Sequence, residues 1–105
     1  YVARFVAALA KAGVKRGLSD EMASTIALET VLGTTWMAAA SGETMDGLAQ
    51  RVASPKGTTE AGLAVLDHDQ VLDSLVALAI DAASRRGAEL AEEARGQLAD
   101  TALPS

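Results

Sequence analysis

The sequence predicts an all-α fold, a compact helical domain of about five helices with a long helix at the C-terminal end. Alanine accounts for 23 of the 105 residues, and alanine has the highest intrinsic helix propensity. Apolar residues recur at helical spacing, and no segment alternates apolar and polar residues as a strand would. The aromatic residues are only three, Tyr1, Phe5 and Trp36. Such a core buries little area per residue, so we expect it to be shared with a second copy of the chain.

The first two helices are defined by apolar periodicity and by the glycines that follow them. The first helix is predicted to run to about Arg16 and to stop at Gly17. Ser19 or Asp20 is predicted to cap the second helix, which continues to about residue 40. Gly42 is predicted to end it.

Two shorter helices are predicted on either side of a turn-rich loop. Thr44 has the character of an N-cap for a helix that points Met45, Leu48 and Val52 inward. A loop at residues 54–59 follows, and then a short helix from Glu60 to about residue 66, capped by a threonine of the loop.

The last helix is predicted to begin after a cap at Asp67 or Asp69 and to carry apolar residues on more than one face. One stripe comprises Leu72, Leu75, Val76, Ala79, Ala83 and Leu90, and a second comprises Val71, Leu78 and Ala82. One face can pack on this chain, and the other needs a partner. Residues 91–105 are predicted to form a fraying acidic tail of the single domain 1–105.

Composition excludes several classes of function. The net charge is −5 with no run of basic residues, which argues against a nucleic-acid or anionic-membrane surface. No apolar run approaches the roughly 18 residues of a membrane span. The absence of cysteine excludes disulfides and is compatible with the cytoplasm, the compartment that we expect. The aspartates near the last helix fit caps and an exposed face better than a metal site.

The densest cluster of turn formers and hydroxyls is Ser54-Pro55-Lys56-Gly57-Thr58-Thr59. A turn that leads into a helix directs free backbone N–H groups toward one point, and here hydroxyls lie beside them. This arrangement suits a small anion such as a carboxylate. By spacing alone, an ordinary turn with a threonine N-cap is the more common explanation, and the two interpretations are compatible.

Other candidate residues have structural explanations that compete with functional ones. His68 is the only histidine and a possible general acid, but an exposed histidine in a turn is favoured because no partner is evident at useful spacing. Trp36 and Met37 are favoured as core or interface residues. Lys56 is favoured as a solvated turn residue. Arg51 either orients a substrate or pairs with an acid, and the sequence leaves both open.

Three segments occur in an order and spacing that resemble a known family. They lie at residues 10–18, 30–33 and 52–63, and the third contains the signature Ser-Pro-x-Gly-Thr-Thr. Together they resemble the C-terminal dimerisation domain of pyrroline-5-carboxylate reductase over roughly residues 1 to 90. Each segment alone is a weak signal, whereas three in register are a strong one.

The resemblance implies a function and a site. This family reduces 1-pyrroline-5-carboxylate to L-proline with NADPH or NADH, in the last step of proline biosynthesis. The resemblance also implies a helical domain that interlocks with a second copy in a homodimer, with decamers in some members of the family. It also implies that Ser54, Gly57, Thr58 and Thr59 hold the carboxylate of the imino acid substrate. No catalytic, cofactor-binding or metal-binding residue is assigned to this chain.

The sequence also departs from the family pattern. The N-terminal Rossmann domain and its Gly-x-Gly-x-x-Gly loop do not occur in these residues, so the chain is expected to be part of a longer protein and inactive alone. Lys56 and Glu29 replace a frequent glycine and a frequent glutamine, and His68-Asp69-Gln70 replaces Gly-Gly-Phe. The alternative function is a helical dimerisation module without catalysis, in which the loop is only a connector.

Overall fold

The computed structural model describes residues 1–53 and 57–102, with side chains described up to residue 100. These residues form five α-helices and one short 3-10 helix, and none of them lies in a β-strand. The chain separates into two compact units, Tyr1–Ala53 and Ser54–Ser105, and each is described by itself. The predicted all-α class is confirmed. The single domain spanning 1–105 stays a prediction.

The first unit contains α1 (Val2–Lys15), α2 (Asp20–Ser41) and α3 (Met45–Val52). As predicted, α1 ends before Gly17, whose φ of 107° is accessible to glycine. The backbone N–H of Leu18 donates to the carbonyl of Gly13 at 3.1 Å and closes the turn. A Cβ on Gly13 would lie 3.2 Å from Leu18 Cδ1 and 3.4 Å from Ala23 Cβ, so this glycine allows α1 and α2 to approach closely.

Local capping sets the other helix ends of this unit. Ser19, rather than Asp20, caps α2, because its Oγ accepts a hydrogen bond from the Met22 N–H at 3.1 Å. Gly42 ends α2 in the left-handed conformation with a φ of 71°. Thr44 Oγ1 accepts from the Gly47 N–H at 3.0 Å and starts α3. These three predicted helix ends are confirmed.

The buried core of the first unit is small. Ala23, Ala27 and Leu48 are 3%, 2% and 3% exposed, respectively. Met45 and Val52 were predicted to point inward with Leu48, but they are 53% and 54% exposed. Both nevertheless face α2, because they line the groove between α2 and α3 together with Leu48. The eight residues of α3 bury only the central leucine completely.

The second unit contains α4 (Thr58–Asp67), a 3-10 helix (His68–Gln70) and α5 (Val71–Ala102). The predicted cap of the last helix by Asp67 or Asp69 is wrong. Asp67 is the last residue of α4, and Asp69 has a left-handed backbone with a φ of 50°, whereas an N-cap residue is extended. Gln70, directly before α5, is also left-handed, with a φ of 56°.

Helix α5 leaves both of its predicted apolar stripes open to solvent. Leu75 and Val76 of the first stripe are 65% and 52% exposed, and Val71 and Leu78 of the second are 52% and 64% exposed. Leu72 is half-buried. Within the second unit neither stripe is covered along its length, since α4 is too short for a helix of 32 residues. That one face packs on the rest of the chain stays a prediction.

The C-terminal part of α5 remains helical to Ala102, whereas the sequence predicted fraying beyond Leu90. Ion pairs lie along this segment: Arg95 lies 2.5 Å from Glu92, and Arg86 lies 3.5 Å from Glu93. None of the described helices combines the length and apolar character that a membrane crossing requires.

Candidate functional site

The N-terminus of α4 is formed by residues of the predicted anion-binding loop. Gly57 occupies the N-cap position with an extended backbone (φ −89°, ψ 178°), and Thr58 and Thr59 are the first two residues of the helix. The prediction that Thr58 or Thr59 caps a helix starting near Glu60 is wrong. Because the helix begins at Thr58, both hydroxyls lie inside its first turn, and the cap makes no side-chain hydrogen bond.

This helix end has the features of an anion site. The first N–H groups of an α-helix have no acceptor within the helix, and the helix dipole gives that end a partial positive charge. The Gly57 carbonyl already accepts the first helical bond, from the Ala61 N–H at 3.2 Å. Gly57 is half-buried, and Thr58 and Thr59 are exposed. The side chains of Thr58 and Thr59 are therefore accessible to a ligand from solvent.

One nearby charge opposes anion binding. Glu60 is an acidic residue in the first turn of α4. A carboxylate ligand is stabilised only where the N–H groups and hydroxyls lie closer to it than the Glu60 side chain does.

Three of the four predicted site residues are brought together by the structure: Gly57, Thr58 and Thr59 are consecutive at one helix end. The fourth, Ser54, lies outside the described residues, as do Pro55 and Lys56. The proposed roles of Ser54 and of the Lys56 charge stay predictions.

Arg51 has a definite partner in the structure. Its Nη1 lies 3.0 Å from Glu43 Oε1, so of the two alternatives left by the sequence the structure shows pairing with an acid. Glu43 Oε2 is buried and has no hydrogen-bond partner among the described residues. Sequence analysis missed Glu43 because it lies eight residues from Arg51, beyond the spacing at which residues of one helix meet.

His68 has the character of a surface residue, as predicted. Its Nε2 lies 3.2 Å from Asp69 Oδ2, and the two side chains are 79% and 87% exposed. Within the part of the chain that the structure describes, no three acidic or histidine side chains are grouped to hold a metal ion.

A groove also lies between α2 and α3. It has a volume of about 140 Å³ and is lined by Thr34, Met37, Met45, Leu48, Ala49 and Val52. No lining residue is titratable. The groove is therefore suited to contact with an apolar surface rather than to chemistry.

The chain matches known proteins over most of its length. Residues 1–90 match the family described as "Pyrroline-5-carboxylate reductase dimerisation". The chain is 38% identical to pyrroline-5-carboxylate reductase 2 of Bacillus subtilis, over 91% of this chain and 34% of that protein. It is 45% identical to the pyrroline-5-carboxylate reductase of Pseudomonas aeruginosa, over 82% of this chain and 31% of that protein. The chain therefore spans about a third of the length of these relatives.

A solved structure agrees with the sequence comparison. The pyrroline carboxylate reductase of Plasmodium falciparum, crystallised with NADP bound, superposes with a TM-score of 0.76 at 34% identity. The match covers 82% of this chain and 32% of that protein. With the predicted signature at the start of α4 and the helical fold, these matches show that the chain belongs to the pyrroline-5-carboxylate reductase dimerisation family.

Proposed function

We propose that this chain is the helical part of a pyrroline-5-carboxylate reductase, an enzyme that reduces 1-pyrroline-5-carboxylate to L-proline. The support is the family match over residues 1–90 and the names of relatives that are about three times as long. In this proposal the helical part associates with a second copy and binds one end of the substrate.

The arrangement of residues at the start of α4 is the observation that supports the substrate-binding role. Gly57 supplies a cap without a side chain, and the hydroxyls of Thr58 and Thr59 lie in the first turn. We assign the substrate carboxylate to the N–H groups and hydroxyls of this turn, with Ser54 as the fourth residue. Hydrogen bonds to a charged acceptor are the stronger kind and suit a ligand that must be held in one orientation.

The role of these residues in the reaction is positioning. When bound by the whole enzyme, a nicotinamide cofactor would supply a hydride to the carbon of the C=N bond, and the nitrogen of that bond would carry the accompanying proton. No residue of this chain is assigned to the cofactor, because the sequence contains no Gly-x-Gly-x-x-Gly loop. Fixing the carboxylate restricts the orientation of the small imine ring, and this lowers the entropic part of the barrier. The choice between NADPH and NADH rests on residues outside this chain.

Self-association is supported by the large exposed area. The chain exposes 8669 Å². Two separate compact bodies, each of half the mass of the chain, would expose only about 6,600 Å² together. The excess is roughly 2,000 Å² per chain, or about 4,000 Å² for two chains, and obligate homodimers bury about 2,000–5,000 Å² in total. We propose a homodimer as the basic assembly, with a decamer as a further possibility for the whole protein, and the cytoplasm as its location.

Replacing Thr59 by alanine in the full-length enzyme tests the carboxylate site. We expect the KM for the imino acid to rise about tenfold, since a hydrogen bond to a charged group contributes about 1.5 kcal/mol or more. The KM for the nicotinamide cofactor is expected to stay unchanged. Steady-state kinetics with each substrate varied in turn measures both.

Ser84→Ala is the matched control, because it removes an exposed hydroxyl from α5 that is not part of the first turn of α4. It is expected to leave both KM values unchanged. Equal increases in both KM values for Thr59→Ala would contradict the carboxylate role. The absence of imine reduction by the unsubstituted full-length protein would contradict the proposed activity itself.

A further inference from the structure

Glu43 lies in the short turn between α2 and α3, and its backbone is tied to the end of α2. The Glu43 N–H donates to Ser41 Oγ at 3.3 Å, and the same hydroxyl donates to the Met37 carbonyl at 2.7 Å. Gly42, between Ser41 and Glu43, closes α2 in the left-handed conformation. The position of Glu43 is therefore set by local hydrogen bonds at the end of a helix of 22 residues.

The carboxylate of Glu43 depends on Arg51. Glu43 Oε1 lies 3.0 Å from Arg51 Nη1, whereas Glu43 Oε2 is buried and has no hydrogen-bond partner among the described residues. The Glu43 side chain is 34% exposed and that of Arg51 is 55% exposed. Removing one partner of an ion pair leaves an uncompensated charge, and this costs most where the remaining group is withdrawn from water. Arg51 is therefore the partner that this partly buried carboxylate requires.

Arg51 lies in the last turn of α3, a helix with little support of its own. Eight residues are fewer than an isolated helix needs to be stable in water, and only Leu48 is completely buried. The C-cap residue, Ala53, is extended (φ −83°, ψ 112°), so α3 lacks the left-handed cap that closes α2. The ion pair joins the last turn of α3 to the turn that precedes the helix.

The last turn of α3 leads directly into the signature segment. Val52 is the last residue of α3, Ala53 follows, and Ser54 is the first of the residues to which we assign the substrate carboxylate. Fraying of this turn would add about four residues to the connection between α3 and α4, and a longer flexible connection has more conformations. When only a fraction of the molecules holds the conformation that binds, the apparent affinity falls in proportion. The order of this turn therefore bears on substrate affinity.

We propose that the Glu43–Arg51 ion pair positions the substrate-binding segment 54–59 by keeping the last turn of α3 helical. Glu43 and Arg51 are positioning residues in this inference and touch neither substrate nor cofactor. The inference rests on the function proposed above and adds these two residues to it. The contact joins one guanidinium nitrogen to one carboxylate oxygen, so a cation at position 51 is required rather than a two-pronged guanidinium.

Arg51→Met in the full-length enzyme tests this role, because it keeps a long apolar side chain and removes the charge. We expect the KM for the imino acid to rise about fivefold, which corresponds to about 1 kcal/mol and is the upper end of the range for exposed ion pairs. The kcat and the KM for the nicotinamide cofactor are expected to stay within twofold. Arg51→Lys retains the cation and is expected to keep all three values within twofold.

The double substitution Glu43→Gln/Arg51→Met separates positioning from direct contact with the substrate. If the pair acts through α3, removing the unpaired carboxylate is expected to return the KM for the imino acid to within about twofold of the original. A double variant whose KM is as high as that of Arg51→Met alone would show that Arg51 binds the substrate itself, and this would overturn the positioning role.

Arg86→Met is the matched control, because Arg86 Nη1 lies 2.9 Å from Glu89 in an exposed ion pair of α5. It is expected to leave both KM values unchanged. An unchanged KM for Arg51→Met, beside a raised KM for Thr59→Ala, would overturn the positioning role and leave the proposed function in place. The absence of imine reduction by the unsubstituted full-length enzyme would overturn the proposed function itself.

Hydrogen exchange keeps the inference testable if Arg51→Met does not fold. Glu43→Gln preserves the shape of the side chain and removes its charge. The backbone N–H groups of residues 49–52 are expected to exchange at least twofold faster in Glu43→Gln than in the unsubstituted enzyme, while those of α1 exchange at the same rate. Equal exchange of residues 49–52 in the two proteins would overturn the inference.

Discussion

Both units of the chain are helical, but only the first buries side chains completely within the chain. In residues 1–53, small residues let α1 and α2 approach, and Ala23, Ala27 and Leu48 lose nearly all contact with solvent. In the described side chains of residues 57–100 no residue is classed as buried, although Val71, Leu75 and Leu78 are large and apolar. The difference shows that helix formation and core formation are separate problems in this protein.

The difference in burial between the two units follows from the lengths of their helices and from which helices pair. Helix α1 has a neighbour of comparable length in α2, with Gly13 placed at the contact. Helix α5 has 32 residues, and α4 has ten. The apolar surface of α5 therefore exceeds what its own unit can cover, and an exposed apolar surface of this size is typical of an interaction site.

The largest expected effect is in the exposed stripe of α5. Leu75→Asp places a charge at a residue that is 65% exposed in the chain. If a second copy covers this stripe, the unpaired charge is buried in the dimer. We expect the dissociation constant to rise about 100-fold or more, equivalent to about 2.8 kcal/mol. Sedimentation or light scattering across a concentration series measures it.

Ser84→Asp is the control for this substitution, since it adds the same charge to an exposed position of the same helix. Its dissociation constant is expected to stay within a few-fold of the original. Should Leu75→Asp and Ser84→Asp dimerise equally well, the exposed stripe of α5 would not be an interface, and the two units would differ for another reason.

The second largest expected effect is a loss of stability on truncating the buried core of the first unit. Leu48→Ala removes a side chain that is 3% exposed, and we expect the free energy of unfolding to fall by about 2–3 kcal/mol. Urea unfolding followed by circular dichroism measures this change. Met45→Ala on the same helix removes a side chain that is 53% exposed and is expected to cost less than half as much. A similar loss for both variants would show that burial within the chain does not distinguish them.

The smallest expected effect is a gain in stability on relieving backbone strain at the junction between α4 and α5. Gln70 has a φ of 56°, a conformation that costs a non-glycine residue about 1 kcal/mol or more. We expect Gln70→Gly to raise the free energy of unfolding by about 0.5–1 kcal/mol, less than the full strain because glycine makes the unfolded chain more flexible. Thermal unfolding measures it, and Ala77→Gly, at a regular position of α5, is expected to have the opposite sign. Destabilisation by Gln70→Gly would mean that the glutamine side chain contributes more than the strain costs.

The sequence was sufficient where a helix end depends on its own neighbours. Ser19, Gly42 and Thr44 were predictable because each acts through the backbone within three or four residues. The start of α4 was predicted two residues late. The N-cap was assigned from the sequence to one of two adjacent threonines, whereas Gly57 occupies that position. The signature residues were predicted to share one loop, and three of them lie together at a helix end.

What the sequence alone determined is the all-α class, most of the helix boundaries and the segment that carries the family signature. Only the tertiary structure decided which apolar faces are covered, that Arg51 pairs with Glu43, and that both Asp69 and Gln70 take left-handed backbones before α5. The physical reason is the distance along the chain over which each interaction acts. Capping and helix propensity act over a few residues. Burial and ion pairing between elements depend instead on which surfaces meet. A periodic apolar pattern predicts which face of a helix is apolar, but not which element packs against it.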